Sequence, residues 1–265
     1  MHFVVFSKLS SVLDIVDAII YVVISFVAGF LNTVAGGGSF ISLAVLIFMG
    51  MNGSVANATN RVAILSQNFF AVTGFRSKGV VLPFPYSLYL GIASLAGALI
   101  GAELAVRIDD AAFNRVLAII MVLIVFTIVF DRKKKDPQRA ELLSTNRKVI
   151  GVVSFFALGI YGGFIQAGIG FLVIAILTNV HHFNLVKTNY IKVFAAIVYT
   201  GVAVIVFAWE DKIIWSIGLV LAIGQGLGGW FASRWSVEKG DVWIKRILVV
   251  AVILLAIKLW FFDQA

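Results

Sequence analysis

The sequence predicts an all-α, polytopic membrane protein built from two pseudo-symmetric halves, and three observations predict it. Of 265 residues, 61% are hydrophobic and 13% charged, with a mean hydropathy of +1.04. That is more apolar surface than one soluble core of this length conceals, and a bilayer supplies the missing apolar surroundings. The apolar residues fall into runs separated by short polar punctuation, several of them near the roughly 20 residues that cross a hydrocarbon core about 30 Å thick. The two halves of the chain also match one another without a gap.

In order, the runs cover about 11–34, a short 39–51, then 55–75, 84–106 and 111–130. A polar segment, 131–147, follows. The second half gives 148–165, a short 169–181, then 186–208, 213–233 and 241–261. The first run is longer than a signal-peptide apolar region and lacks a small-residue cleavage site, so it reads as a retained span. Runs 39–51 and 169–181 are too short to cross, and each follows glycines. They read as half-helices entering the membrane after a break.

A single offset superposes the halves. Gly37 falls on Gly168, Phe40 on Phe171, Ala44 on Ala175, Val62 on Val193, Gly97 on Gly228 and Arg115 on Arg246. The expected organisation is therefore an N-terminal repeat at 11–130, a basic linker at 131–147 and a C-terminal repeat at 148–262. Each repeat is a glycine-broken helix or hairpin followed by three transmembrane helices.

The formal net charge is +8. In a soluble chain that would point to nucleic acid. Here the cations gather between apolar runs, where membrane topology places them. The linker carries Arg132, Lys133, Lys134, Lys135, Arg139 and Arg147 and is expected on the cytoplasmic side, as are Arg76 and Lys78. Parallel repeats would put Arg234, Lys239, Lys245 and Arg246 outside, and inverted repeats would put them inside. The positive-inside bias favours the inverted scheme. Trp209, Trp215, Trp235 and Trp243 flank the last loops as interfacial residues do.

Two features could carry chemistry. The first is the pair of glycine breaks, Asn32-Thr33-Val34-Ala35-Gly36-Gly37-Gly38-Ser39 and Gln166-Ala167-Gly168-Ile169-Gly170. Each would place the free N–H groups of a half-helix N-terminus inside the membrane, which is an anion site. The competing reading is close helix packing through small residues. The second is the pair Arg61 and Lys192, matched by the same offset, with Asn57, Thr59, Asn60 and Asn189 beside them. A cation in a span costs about 2.5–3.5 kcal/mol on insertion scales, so it faces a cavity, finds a partner or snorkels to the headgroups. Carboxylates are missing from the middle of the runs, which disfavours a cation carrier and removes the usual proton-coupling residue. Glu103 reads as an i,i+4 partner of Arg107. His181 and His182 read as a surface loop, and Gln67, Asn68, Tyr161 and Tyr199 as ordinary helix–helix polar contacts. With no cysteine, no nucleophile–base set and no phosphate loop, neither an enzyme nor a metal or cofactor is expected.

At these residues the chain resembles the sulfite exporter TauE/SafE family. The stretch Asn32–Ser39 is similar to the family's first glycine signature, and Val55-Ala56-Asn57-Ala58-Thr59-Asn60-Arg61-Val62 to the segment after it. Tyr161-Gly162-Gly163-Phe164-Ile165-Gln166-Ala167-Gly168-Ile169-Gly170-Phe171 is similar to the second-half signature. The chain departs from the family at Ala44 and at Asn52-Gly53, where prolines are common. The resemblance implies a multi-pass carrier of a bacterial inner membrane that moves sulfite or an organosulfonate without a cofactor. Its partners would be a small anion and the lipid bilayer, with no nucleic acid, and a homo-oligomer is left open. The expected binding residues are Asn32, Gly36, Gly37, Gly38, Ser39, Asn57, Thr59, Asn60, Arg61, Gln166, Gly168, Gly170, Asn189 and Lys192. A gated anion channel and a non-transporting membrane accessory protein are the alternatives.

Overall fold

The computed structural model describes residues 15–109, 111–113, 115–116, 119 and 140–262. The expected run 111–130 and most of the linker 131–147 lie outside these residues or at their edges. Among the described residues the regular structure is helical, with no strand.

Among the described residues, the helices that follow the apolar runs are α1 Ile15–Val34, α2 Gly38–Phe48, α3 Gly53–Ser77, α4 Tyr86–Arg107, α5 Thr145–Phe164, α6 Ile169–Val180, α7 Leu185–Trp209 and α8 Trp215–Phe262. At about 1.5 Å per residue, the 11 residues of α2 and the 12 of α6 reach only about halfway across a bilayer. Among the described residues, four helices are long and apolar enough to cross: α4, α5, α7 and the Trp215–Ile244 portion of α8. α8 merges two expected runs and is interrupted at Gly240, where φ is 69° and ψ −173°.

The breaks have local causes. α1 stops where Gly36 takes φ 89°, and the Ala35 and Gly36 N–H groups both turn back to the Leu31 carbonyl. α5 stops where Gln166 takes φ 65° and Gly168 φ 74°, with the Ile165 and Gln166 N–H groups both donating to the Tyr161 carbonyl. Positive φ is cheap for glycine. For Gln166 it is a local strain held by surrounding bonds.

α3 is long enough to span, yet its middle is polar: Asn57, Thr59, Asn60, Arg61, Gln67 and Asn68 are all buried. Those groups face protein, whereas Phe69 and Phe70 are exposed on the outer surface of the helix. Close packing elsewhere uses small residues. Gly97 and Gly101 of α4 lie directly on the backbone of α5 at Phe156 and Ile160, and Gly228 of α8 lies on Phe26 of α1.

Contacts at the helix ends fix directions. Lys78 and Glu238 are 2.5 Å apart, and Arg234 donates to Ser77 Oγ at 3.1 Å. Tyr86 is bonded to His181 at 2.9 Å, and Lys187 pairs with Glu141 at 2.8 Å. The end of α3, the starts of α4, α5 and α7, the end of α6 and the Gly240 break thus share one face. α3 runs toward this face and α7 away from it. α4 leaves it, and the first part of α8 arrives at it. α1 lies alongside α8 in the same direction, with Ser25 at Gly224 and Phe30 at Trp235, whereas α5 leaves the shared face. The face carries Arg76, Lys78, Arg147, Lys148, Lys187, Arg234 and Lys239 against Glu141, Glu238 and Asp241.

One expectation needs adjustment here and one holds. His181 is buried, with Nε2 on the Tyr86 hydroxyl and Nδ1 3.3 Å from the Leu142 carbonyl, and so is not part of an exposed loop. Glu103 and Arg107 do form the expected i,i+4 pair, with Nε donating at 2.8 Å.

Candidate functional site

The two helix breaks meet each other. Gly36 and Gly170 touch backbone to backbone, so that a Cβ on either would overlap the other's main chain. Gly37 lies under the Phe171 ring, and Gly38 lies on Ala28 and Asn32 of α1. The Gly168 N–H donates to Ser39 Oγ at 3.3 Å. The near contacts of these glycines are thus with protein, in the manner of small-residue packing.

The carbonyls left over at the end of each broken helix are satisfied from the opposite half. Lys192 Nζ donates to the Asn32 and Thr33 carbonyls at 3.0 and 2.7 Å. Asn189 Nδ2 donates to the Val34 carbonyl at 3.0 Å. At the other break, Arg61 donates through Nη1 to the Gly162 carbonyl at 2.7 Å and through Nη2 to the Gly163 carbonyl at 2.8 Å. Asn57 Nδ2 donates to the Phe164 carbonyl at 3.0 Å. One asparagine and one cation from each half therefore cap three successive carbonyls of the other. A cation at a helix C-terminus also meets the negative end of the helix dipole. Arg61 and Lys192 are both buried, so neither reaches the headgroups.

The two cations are not equivalent. Arg61 gives a third bond, to Gln166 Oε1 at 3.2 Å, and lies 4.9 Å from the centre of the Phe207 ring. Lys192 has two acceptors and lines a cavity where the breaks converge. That cavity has about 10 Å³ of interior, room for about one water. Asn32 of α1, Ser39 of α2, and Ile64 and Asn68 of α3 form one side; Gln166, Ile169 and Gly170 of the second break and Lys192, Ala196 and Tyr199 of α7 form the other. Gln166 is held from two directions, accepting from Arg61 and donating through Nε2 to Thr200 Oγ1 at 2.7 Å. Asn32 Nδ2 donates to Gln67 Oε1 at 3.0 Å.

Of the expected binding residues, the cavity brings together Asn32, Ser39, Gln166, Gly170 and Lys192. Thr59 and Asn60 point elsewhere: Thr59 Oγ1 accepts from the Ile214 N–H at 3.1 Å and Asn60 Oδ1 from Gln225 Nε2 at 3.1 Å, both at α8 and the turn before it. The lining residues Asn68 and Tyr199 carry a signal in the sequence. Each sits seven residues, two helical turns, beyond Arg61 or Lys192, and the offset that pairs the cations pairs these two as well. The lining holds one formal cation and no carboxylate, and among the described residues no group of His, Cys, Asp and Glu could hold a metal ion.

No solved structure gives a significant match. A probable membrane transporter protein, ORF9, of a Sinorhizobium species is 26% identical over 237 residues, 89% of this chain and 90% of that protein. The probable membrane transporter protein YfcA of Escherichia coli K12 is 25% identical over 241 residues, covering 89% of this chain and 87% of its own. A probable membrane transporter protein of Haemophilus influenzae is 26% identical over 242 residues, 91% and 93% of the two chains. The family model for the sulfite exporter TauE/SafE matches residues 21–259. A multi-pass chain with paired helix breaks at its centre, matched by that model over nearly its whole length, belongs to the sulfite exporter TauE/SafE family of membrane transporters.

Proposed function

We propose that the chain carries a small anion, sulfite or an organosulfonate, across a bacterial inner membrane by alternating access between two inverted halves, residues 11–130 and 148–262. The observation that carries this reading is the cavity between the two breaks, where Lys192 is the single formal charge and no carboxylate balances it. An anion there supplies the missing charge. Ser39, Asn32, Asn68 and Gln166 add neutral hydrogen-bonding groups, and the half-helix N-termini add their positive dipole ends. Arg61, Asn57 and Asn189, with Gly36, Gly37, Gly38 and Gly168, position these groups. Thr59 and Asn60 tie α3 to the α8 side.

The cavity is too small for sulfite as it stands, so loading requires the halves to part. That favours a carrier over an open channel. The basic face is assigned to the cytoplasm by the positive-inside rule, which places the linker 131–147 there. The family's description supports a sulfur oxyanion as cargo.

The test is counterflow in proteoliposomes with sulfite, sulfate, sulfoacetate, taurine and a carboxylate control. Sulfite or sulfoacetate exchanging at least tenfold faster than the carboxylate is the expected result. Equal rates for all five, or steady unitary currents in a planar bilayer, would overturn the carrier reading.

A further inference from the structure

We propose that Lys192 is a proton carrier, taking up one proton as the anion binds and releasing it as the anion leaves, so that transport is anion–proton symport. The inference rests on the anion cavity described above.

Three observations carry it. The first is the match of donors to acceptors. Lys192 Nζ has two carbonyl acceptors, and a neutral amine has two N–H groups to give them. An ammonium has three, and its third finds an acceptor when an anion occupies the cavity. The second is the lack of any other counter-charge. The buried or part-buried titratable groups on the elements around α7 include Arg61 on α3, Tyr86 on α4, Tyr161 on α5, His181 after α6, Asp241 on α8, and Tyr190 and Tyr199 on α7 itself; Glu103 is paired with Arg107, Glu238 with Lys78 and Glu141 with Lys187, and no described carboxylate is bonded to Nζ. A lone buried charge is costly and a neutral amine is not. The Asp241 carboxylate is committed to the Leu185 and Val186 N–H groups at the start of α7.

The third observation is a path. Among the described residues, three buried side-chain polar atoms have no partner: Arg61 Nε, Thr188 Oγ1 and Asn189 Oδ1. Two of the three lie on the turn of α7 immediately before Lys192, at i−4 and i−3, on the same side of the helix. They lie between Lys192 and the end of α7 held by Asp241 at the basic face. Unbonded buried oxygens call for water or a mobile proton. They form a stair from Lys192 toward that face. Arg61 cannot serve in this way, because a guanidinium keeps its proton.

The balance is simple. The amine and a proton give an ammonium, the ammonium and the anion cross together as a neutral pair, and the amine returns without charge. For a monoanion the cycle moves no net charge.

The experiment uses the full chain in proteoliposomes holding a pH dye, with the membrane potential clamped at zero. The probes are methanesulfonate and 2-hydroxyethanesulfonate, strong-acid monoanions that carry no proton themselves. Symport predicts that a gradient of one pH unit drives about tenfold accumulation, with one proton per anion. Lys192→Arg, whatever its exchange rate, should show no accumulation in response to the pH gradient. Thr188→Val should lower pH-driven uptake severalfold relative to its own anion exchange. If Lys192→Arg does not reach the membrane, Thr188→Val decides the question. Exchange in the wild type with a silent dye and no response to pH overturns this inference alone, as does pH-driven accumulation by Lys192→Arg. Failure to exchange either sulfonate removes the sulfonate reading of the cavity and this inference with it.

Discussion

Gly36 and Gly170 lie backbone against backbone, and through them the broken helix of one half bears on the half-helix of the other. Each contact leaves no room for a methyl group. Gly36→Ala also forces φ 89° on an L side chain, which costs about 1–2 kcal/mol by itself. Both Gly36→Ala and Gly170→Ala are expected to lower the melting temperature in detergent, Gly36→Ala by more. Measuring the two melting curves checks this. Two curves that overlay the wild type would mean that the breaks do not meet as described.

Arg61 is a structural pin in this account, and Lys192 is the cation that faces the cargo. Arg61→Gln leaves the Gly162 and Gly163 carbonyls without donors, at about 1–3 kcal/mol for each buried group left unbonded. It should reduce the folded protein recovered from membranes, and Arg61→Lys should restore part of it. Lys192→Gln also removes donors, from the Asn32 and Thr33 carbonyls, so its exchange is read per folded protein recovered and should be at least tenfold slower. Recovery by size-exclusion chromatography, paired with counterflow, separates the two. Full recovery of Arg61→Gln would contradict the pin.

How far the sequence foretells this arrangement depends on the scale. Helix positions are legible because apolar runs end at real physical boundaries: Gly36, Gln166 and Gly168 adopt positive φ, and α1 and α5 stop there. The importance of Arg61 and Lys192 is legible from the cost of a cation in a span. Their partners are not. Main-chain carbonyls of the opposite half have no signature in composition, so the sequence points to an attraction for free anions as the use of both cations, whereas only Lys192 lines the cavity. His181 misleads for a related reason. A histidine after a short helix, beside a second histidine and an asparagine, reads as exposed, and nothing local announces that Tyr86, 95 residues away, covers it.

That burial predicts a pH effect. Burial is the main cause holding the His181 imidazole below its ordinary value of 6.5, partly opposed by its bond to the Leu142 carbonyl. A depressed value in the folded protein means that the stabilisation is present above the unfolded value of about 6.5 and is lost as pH falls below it. Segment 140–144 should therefore loosen on acidification. Hydrogen exchange at the Leu142 amide, which donates to the His181 carbonyl, should accelerate below pH 6 relative to its intrinsic rate, and His181→Gln should abolish that change. A Leu142 amide equally protected at pH 5 and pH 7.5 would contradict it.

The opposed helix directions give a topology that can be measured, because the chain has no cysteine of its own. Single cysteines at Lys78 and Lys239 should be labelled by an impermeant maleimide only from the cytoplasmic side. One at Lys212 should be labelled only from the other side. Labelling of positions 78 and 239 from opposite sides would contradict the shared basic face.

A cargo held between the two breaks against Lys192 can be located with a heavy-atom analogue. Crystals grown or soaked with selenite, the selenium counterpart of sulfite, locate selenium by anomalous scattering. A peak is expected between Ser39 and Gln166, with an oxygen within about 3 Å of Lys192 Nζ, and it should be lost in Lys192→Gln. A selenium peak bound to Arg61 instead, or one outside the cavity that persists in Lys192→Gln, would contradict it.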